Sequence, residues 1–118
     1  MLTPSPKSGD IFELSLPKLR QSGHRHPAIF LRASTTHATF TFLSSEFSLC
    51  REGKDFPIRK EDEDVAEFSA TGLTKSSYLI DSEVEFDVPL ANFSGKYRGR
   101  ISGNLKLRIE DWWGEPFK

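Results

Sequence analysis

Cysteine occurs once in this 118-residue chain, at Cys50. No internal disulfide can form, and a reducing intracellular compartment, the cytoplasm, is the expected location. Met1 to Ser8 holds one lysine and no apolar stretch, so neither a signal peptide nor a membrane span is expected there. Residues 1–8 read as a flexible leader and 9–118 as a single domain, since this length supports one modest core but not two. Internal repeats, low-complexity tracts and any alternation of strands with crossover helices are also missing. The net charge of −1 argues against a protein that coats nucleic acid without specificity. One further absence is local. Between Glu13 and Glu46 there is no acid at all, while Lys18, Arg20, Arg25 and Arg32 stand there with His24, His26 and His37. From Glu46 to Glu67 the balance reverses, with an acidic block at Glu61-Asp62-Glu63-Asp64. Such segregation can build a positive surface on a nearly neutral protein, and a positive surface attracts phosphates.

Seven prolines, eight glycines and Phe-rich and Thr-rich runs point to short strands and many turns. Ile11 to Leu16 reads as a first strand that stops at Pro17, and Lys18 to His26 as a polar connection. Ala28 to Ala33 is a continuous apolar strand, expected to be buried on both faces. His37 to Leu43 alternates small or polar residues with Phe, the pattern of a half-buried strand. A short strand is expected around Phe56 and Ile58, ended by the acidic block, which reads as a solvated loop. Ser76 to Asp81 and Glu83 to Pro89 follow as strands, the second with Val84, Phe86 and Val88 on one face. Lys96 to Arg100 reads as a basic turn. Ile101, Leu105, Ile109 and Trp112 then recur at helical spacing, stopped by Gly114 and Pro116. The expected architecture is mainly β with a C-terminal helix: five to seven short strands in a strongly bent antiparallel sheet or barrel, the helix packed across it.

Chemistry concentrates in Gly23-His24-Arg25-His26-Pro27, directly before the apolar strand. Imidazoles move protons near neutral pH, and a guanidinium holds phosphate oxygens through a planar fork of donors. Arg25 is therefore the candidate for stabilising phosphoryl charge and His26 the candidate acid or base, with His24 as an RNA contact. No metal site is expected, because His24 and His26 alternate without a nearby thiol or carboxylate. No cofactor is expected either. Asp10 is expected to cap the turn after Gly9, and Trp112 to pack in the core.

The order of these signals resembles the MazF/PemK (Kid) family of toxin endoribonucleases from type II toxin–antitoxin systems. Gly9-Asp10-Ile11-Phe12 is similar to the family's opening strand, and Gly23 to Leu31 to its Gly-x-Arg-Pro-Ala-hydrophobic strand. Leu43-Ser44-Ser45 falls where the family has a Thr/Ser pair. Thr71-Gly72-Leu73 with Ser77-Tyr78-Leu79-Ile80-Asp81 resembles its Gly-Leu…Ser-Tyr…Asp segment, and Gly99 to Trp113 its closing turn and helix. The resemblance implies an SH3-like barrel of the CcdB/Kid/MazF type and a homodimer. It implies metal-independent cleavage of single-stranded mRNA to 2′,3′-cyclic phosphate and 5′-hydroxyl ends, and an acidic antitoxin protein as partner. It adds Ser44 and Asp81 to the catalytic candidates, and Ser45 and Thr71 to the RNA contacts. Two positions depart from the family pattern: His26 stands before Pro27 where the family has Arg, and Ser82 follows Asp81 where it often has Gln. Two alternatives stay open. One is a relative with weakened catalysis that binds RNA or a partner protein, and the other is a CcdB-like topoisomerase inhibitor acting through Trp112 and Trp113.

Overall fold

A computed structural model describes residues 6–15, 25–80, 85–90 and 96–114, with Ser15, Arg25, His26 and Phe86 described by backbone alone. Seven strands and two helices occur among these residues. In chain order they are β1 (Asp10–Ser15), β2 (Arg25–Ala33), β3 (His37–Ser44), β4 (Phe56–Ile58), α1 (Val65–Ala70), β5 (Ser77–Leu79), β6 (Phe86–Pro89), β7 (Lys96–Arg100) and α2 (Gly103–Trp113). The strands pair antiparallel in the order β4-β5-β3-β2-β1-β7, and β6 joins β3 beside β5. The sheet curls into a half-barrel with α2 across it, so the fold is mainly β with a C-terminal helix. No helix among the described residues is long and apolar enough to cross a membrane.

Alternation along β2 explains its unbroken apolar run. Ala28 and Phe30 enter one hydrophobic cluster, with Phe12, Leu14, Phe40 and Val88. Ile29 and Leu31 enter the other, with Ile11, Leu43, Ile58, Leu79 and the helical Phe68, Leu105 and Ile109. The first cluster is aromatic: Phe12, Phe30 and Tyr97 meet their ring neighbours edge to face, with centroids 5.6–6.3 Å apart. β3 is buried more fully than its alternation suggests. Thr41 is 0% exposed and Thr39 8%, because the curled sheet covers this face too. The Thr39 hydroxyl is satisfied by donating to the Asp87 carboxylate at 2.6 Å. Val88 is buried as expected, while Val84 lies outside the described residues.

Two elements differ from the sequence expectation. Lys96 to Arg100 is a strand, not a turn, because its arginines find carboxylates on β1. Arg98 pairs with Glu13, and Arg100 with Asp10 at 3.1 Å. Asp10 also accepts the Lys7 N–H at 2.8 Å, so it caps the turn around Gly9 and anchors β7 at once. Lys7 and Ser8 are tied to the sheet in the same way, the Ser8 hydroxyl donating to the Leu31 carbonyl at 2.9 Å.

The second difference is α1, which begins directly after the acidic block, while Glu61 to Asp64 itself is the largely exposed turn expected. Asp64 is its N-cap, accepting the Glu67 N–H at 3.1 Å, and Phe68 is its buried anchor. Glu63 pairs with Arg108 of α2, and Glu61 accepts from the Ser76 hydroxyl. Glu67 has a role that reaches across the fold. Its carboxylate accepts the Asn104 and Leu105 N–H groups at 2.9 and 3.0 Å. It thus caps α2 from outside, where the N-cap Ser102 makes no side-chain cap hydrogen bond of its own. A Cβ on Gly103 would stand 2.0 Å from this carboxylate. Glu67→Ala is expected to destabilise the protein by about 1–2 kcal/mol, read as a lower urea midpoint with unchanged slope, and Glu67→Gln by less. An unchanged midpoint in Glu67→Ala would show that the cap contributes nothing.

At the other end of α2, Gly114 takes φ +96° and its N–H returns to the Glu110 carbonyl at 2.9 Å. This is the glycine stop expected from the sequence.

Candidate active site

The chemistry-bearing segment lies where two strands part. β2 begins at Arg25, three residues before the apolar run, and Arg25 and His26 pair through their backbones with Ser15 and Leu14 of β1. On its other side β2 pairs with β3 only from Ala28↔Phe42 onward. Beyond that pair Leu43 and Ser44 turn to β5, opposite Leu79 and Tyr78. In the described ladders, Arg25-His26-Pro27 therefore has no partner on its β3 side, and Leu43-Ser44 has none on its β2 side.

Proline accounts for the parting. The Phe30 carbonyl faces β1, where it accepts the Gly9 N–H at 2.9 Å. Strand alternation then turns Pro27, three residues earlier, toward β3. Pro27 has no N–H to offer in that direction, so a rung there loses one of its hydrogen bonds. The result is a notch with Arg25 and His26 on one lip and Ser44 on the other.

Ser44 is half-buried, and its hydroxyl oxygen accepts the Glu46 N–H at 3.2 Å, which leaves its proton available to a ligand. Ser45 is exposed beside it, and its carbonyl accepts the Phe47 N–H at 2.8 Å. His24 and Asp81 lie outside the described residues. Thr71 is elsewhere and does not join the notch. It is 0% exposed, its hydroxyl donating to the Phe68 carbonyl and accepting the Leu73 N–H at 3.1 Å. In this fold Thr71 closes the end of α1, and a buried hydroxyl so engaged has no surface to offer a base.

One cation was not anticipated from the sequence. Arg59, directly after β4, lays its guanidinium 4.9 Å from the centre of the Phe47 ring, which meets Tyr78 edge to face. Phe47 follows Ser44 by three residues in a short 3₁₀ turn, Phe47–Leu49. This places an exposed guanidinium and an aromatic ring beside the Ser44 lip. Nothing in the local sequence links Phe47 to Arg59, since the contact depends on β4 pairing with β5.

Cys50 lies in the same neighbourhood, its N–H donating to the Phe47 carbonyl at 3.1 Å, and its surroundings favour the protonated thiol. Burial pushes its thiol up, the Asp55 carboxylate pushes the same way, and Arg59 and Arg51 only partly oppose them. Asp55 is 5% exposed and takes the Arg51 N–H and guanidinium at 2.8–3.1 Å. Trp112 and Trp113 are half-buried and pack against the core, the Trp112 ring centred 5.7 Å from that of Phe56.

No protein-family model matches the chain, and no curated protein matches it.

Proposed function

We propose that the protein is a metal-independent endoribonuclease that cuts single-stranded mRNA, the toxin of a type II toxin–antitoxin pair, built on an SH3-like barrel of the MazF/PemK type. The notch between β2 and β3 supports this reading, because the backbones of Arg25 and His26 and the strand end at Ser44 border one opening. The motif order of the whole chain supports it, and so does the bent sheet with its terminal helix. Fold alone would not.

Cleavage without a metal needs three contributions. A base takes the proton of the 2′-hydroxyl, whose oxygen attacks phosphorus. The bond to the 5′-oxygen breaks as an acid gives that oxygen a proton. Donors hold the charge that builds on the equatorial oxygens. The products are a 2′,3′-cyclic phosphate and a 5′-hydroxyl. Arg25 is assigned to the equatorial oxygens, where preorganised donors act most strongly. His26 is assigned to proton transfer, worth about 10²–10⁴-fold, with Asp81 to orient it. Ser44 donates to the scissile phosphate, and His24 and Ser45 contact flanking nucleotides. Single strands are the substrate because their bases can splay out to be read, whereas an A-form duplex hides them. The active form is a cytoplasmic homodimer, restrained by an acidic antitoxin whose charge suits the Lys18 to Arg32 stretch.

The deciding experiment incubates the purified protein with a long single-stranded RNA in EDTA and maps cuts and end groups. Discrete cuts at a recurring short sequence with cyclic phosphate and 5′-hydroxyl ends are expected. Intact RNA from folded protein would overturn the endoribonuclease in favour of a relative that binds without cutting.

A further inference from the structure

The opposite end of β2 opens into a cleft of about 880 Å³. Its walls are the end of β2, the turn before β1, the end of β7 and one face of α2 from Gly103 to Trp113. Among the described residues four cations line it, Lys7, Arg32, Arg100 and Lys106, together with the half-buried ring of Trp113 and no carboxylate. In a chain of net charge −1 this is a marked local excess. The acids that pair with three of these cations stand outside the lining: Asp10 beneath Arg100, Glu85 beside Arg32 and Glu110 one helical turn from Lys106. Their cationic partners remain 37–59% exposed. Lys7 is exposed too, and its backbone is fixed by hydrogen bonds to Asp10.

We propose that this cleft is a second contact surface for single-stranded RNA, separate from the β2–β3 notch. Several phosphate-holding cations around one aromatic wall match the way such strands are bound, with phosphates on the cations and a base against the ring. The volume exceeds what a lone phosphate needs, and the cations lie on four different segments. β2 has nine residues between Arg25 and Ala33, and at ~3.3 Å per residue its two ends are roughly 26 Å apart. One RNA strand lying along the protein would meet both openings, so the cleft holds the substrate some nucleotides away from the cut. This inference rests on RNA being the substrate, as proposed above.

The test uses a labelled mixed-sequence RNA of roughly 20 nucleotides, 2′-O-methylated so that it lacks the attacking hydroxyl and cannot be cut. Fluorescence anisotropy gives its affinity for the full chain across a salt series. The variant is Lys7→Gln with Lys106→Gln, and the control is Lys60→Gln with Lys75→Gln, exposed lysines outside the cleft. The cleft variant is expected to bind about tenfold more weakly near 0.1 M salt, and to lower the slope of log affinity against log salt by about 1.4, two phosphate contacts' worth. The control keeps both values. Unchanged affinity and slope in the cleft variant, an equal loss in the control, or no binding by the native protein would each overturn the proposal. Cleavage of unmethylated RNA in EDTA is read separately. Cleavage with no effect of the cleft lysines sinks the cleft and leaves the endoribonuclease standing, while binding that follows those lysines without cleavage does the reverse.

Discussion

Arg25→Ala is expected to lower RNA cleavage by about 100-fold or more, the usual scale for removing a preorganised donor to a developing oxyanion. The thermal midpoint is expected to stay within a few degrees. The reason for the contrast is the division of labour in β2. Its first residues join β1 through backbone groups, Arg25 opposite Ser15 and His26 opposite Leu14, and alanine keeps every one of those. The apolar anchoring of β2 begins only at Ala28. His26→Ala sharpens the assignment. A proton carrier lost from the site slows the chemical step at saturating RNA more than it weakens RNA binding, whereas equal losses in kcat and affinity would make His26 a binding residue. Full cleavage by Arg25→Ala, measured on the same RNA in EDTA, would remove Arg25 from the mechanism and with it the main chemical reason for placing the active site at the notch.

The largest structural effect is expected at a glycine far from that notch. Gly99 of β7 is buried, and a Cβ there would stand 2.1 Å from the Ala70 carbonyl oxygen and 2.7 Å from the Thr71 carbonyl carbon. Both are backbone atoms at the end of α1, so no side chain can swing aside. The approach is reciprocal: a Cβ on Gly72, which has φ +74°, would meet the Arg98 carbonyl oxygen at 2.3 Å. Arg98 also donates to the Gly72 carbonyl and pairs with Glu13, locking strand and turn together. Gly99→Ala must push β7 off α1 or off β1. Overpacking of this kind costs about 3 kcal/mol or more when the backbone has to move, a fall in Tm of about 10 °C or more at this size. Gly53 supplies the comparison. Unlike Gly99 it has a positive φ, +83°, but nothing lies within 4 Å of its Cβ position, so Gly53→Ala is expected to cost only the ~1–2 kcal/mol of the left-handed backbone. Equal losses in the two variants would show that the β7–α1 approach is looser than its geometry implies.

The parts of this fold written in hydrophobic period were legible from the chain alone. Ala28 to Leu31 is buried on both faces, with the expected run cut short at the exposed Arg32 and Ala33, and Leu105 and Ile109 carry α2 into the core, because apolar spacing states directly which faces are covered. Elements held by long-range polar contacts were not. Nothing local distinguishes Lys96 to Arg100 from a basic turn until Asp10 and Glu13 stand across from it. α1 did have a signal, Asp64 three residues before Glu67 and ahead of Phe68, which is the spacing of a capping pair. It was masked by the charge of the block around it, which reads as solvated until Glu61, Glu63, Asp64 and Glu67 are each seen with a partner. The candidate site divides in the same way. Arg25, His26 and Ser44 follow from residue chemistry and chain order, whereas the Arg59–Phe47 stack and the burial of Thr71 depend on which strands pair and on what covers them.

The parting of β2 and β3 has a mechanical consequence. Opening a sheet to admit a chain normally means breaking a row of backbone hydrogen bonds, at a cost that grows with every rung. Here the described ladders hold no rung between Arg25-His26-Pro27 and Leu43-Ser44, and Pro27 has no proton to donate to one. A strand of nucleotides entering this seam would displace water and leave the sheet intact, since β1 secures one lip and β5 the other. The protein would receive an extended polymer at its centre without having to unfold any part of itself to do so.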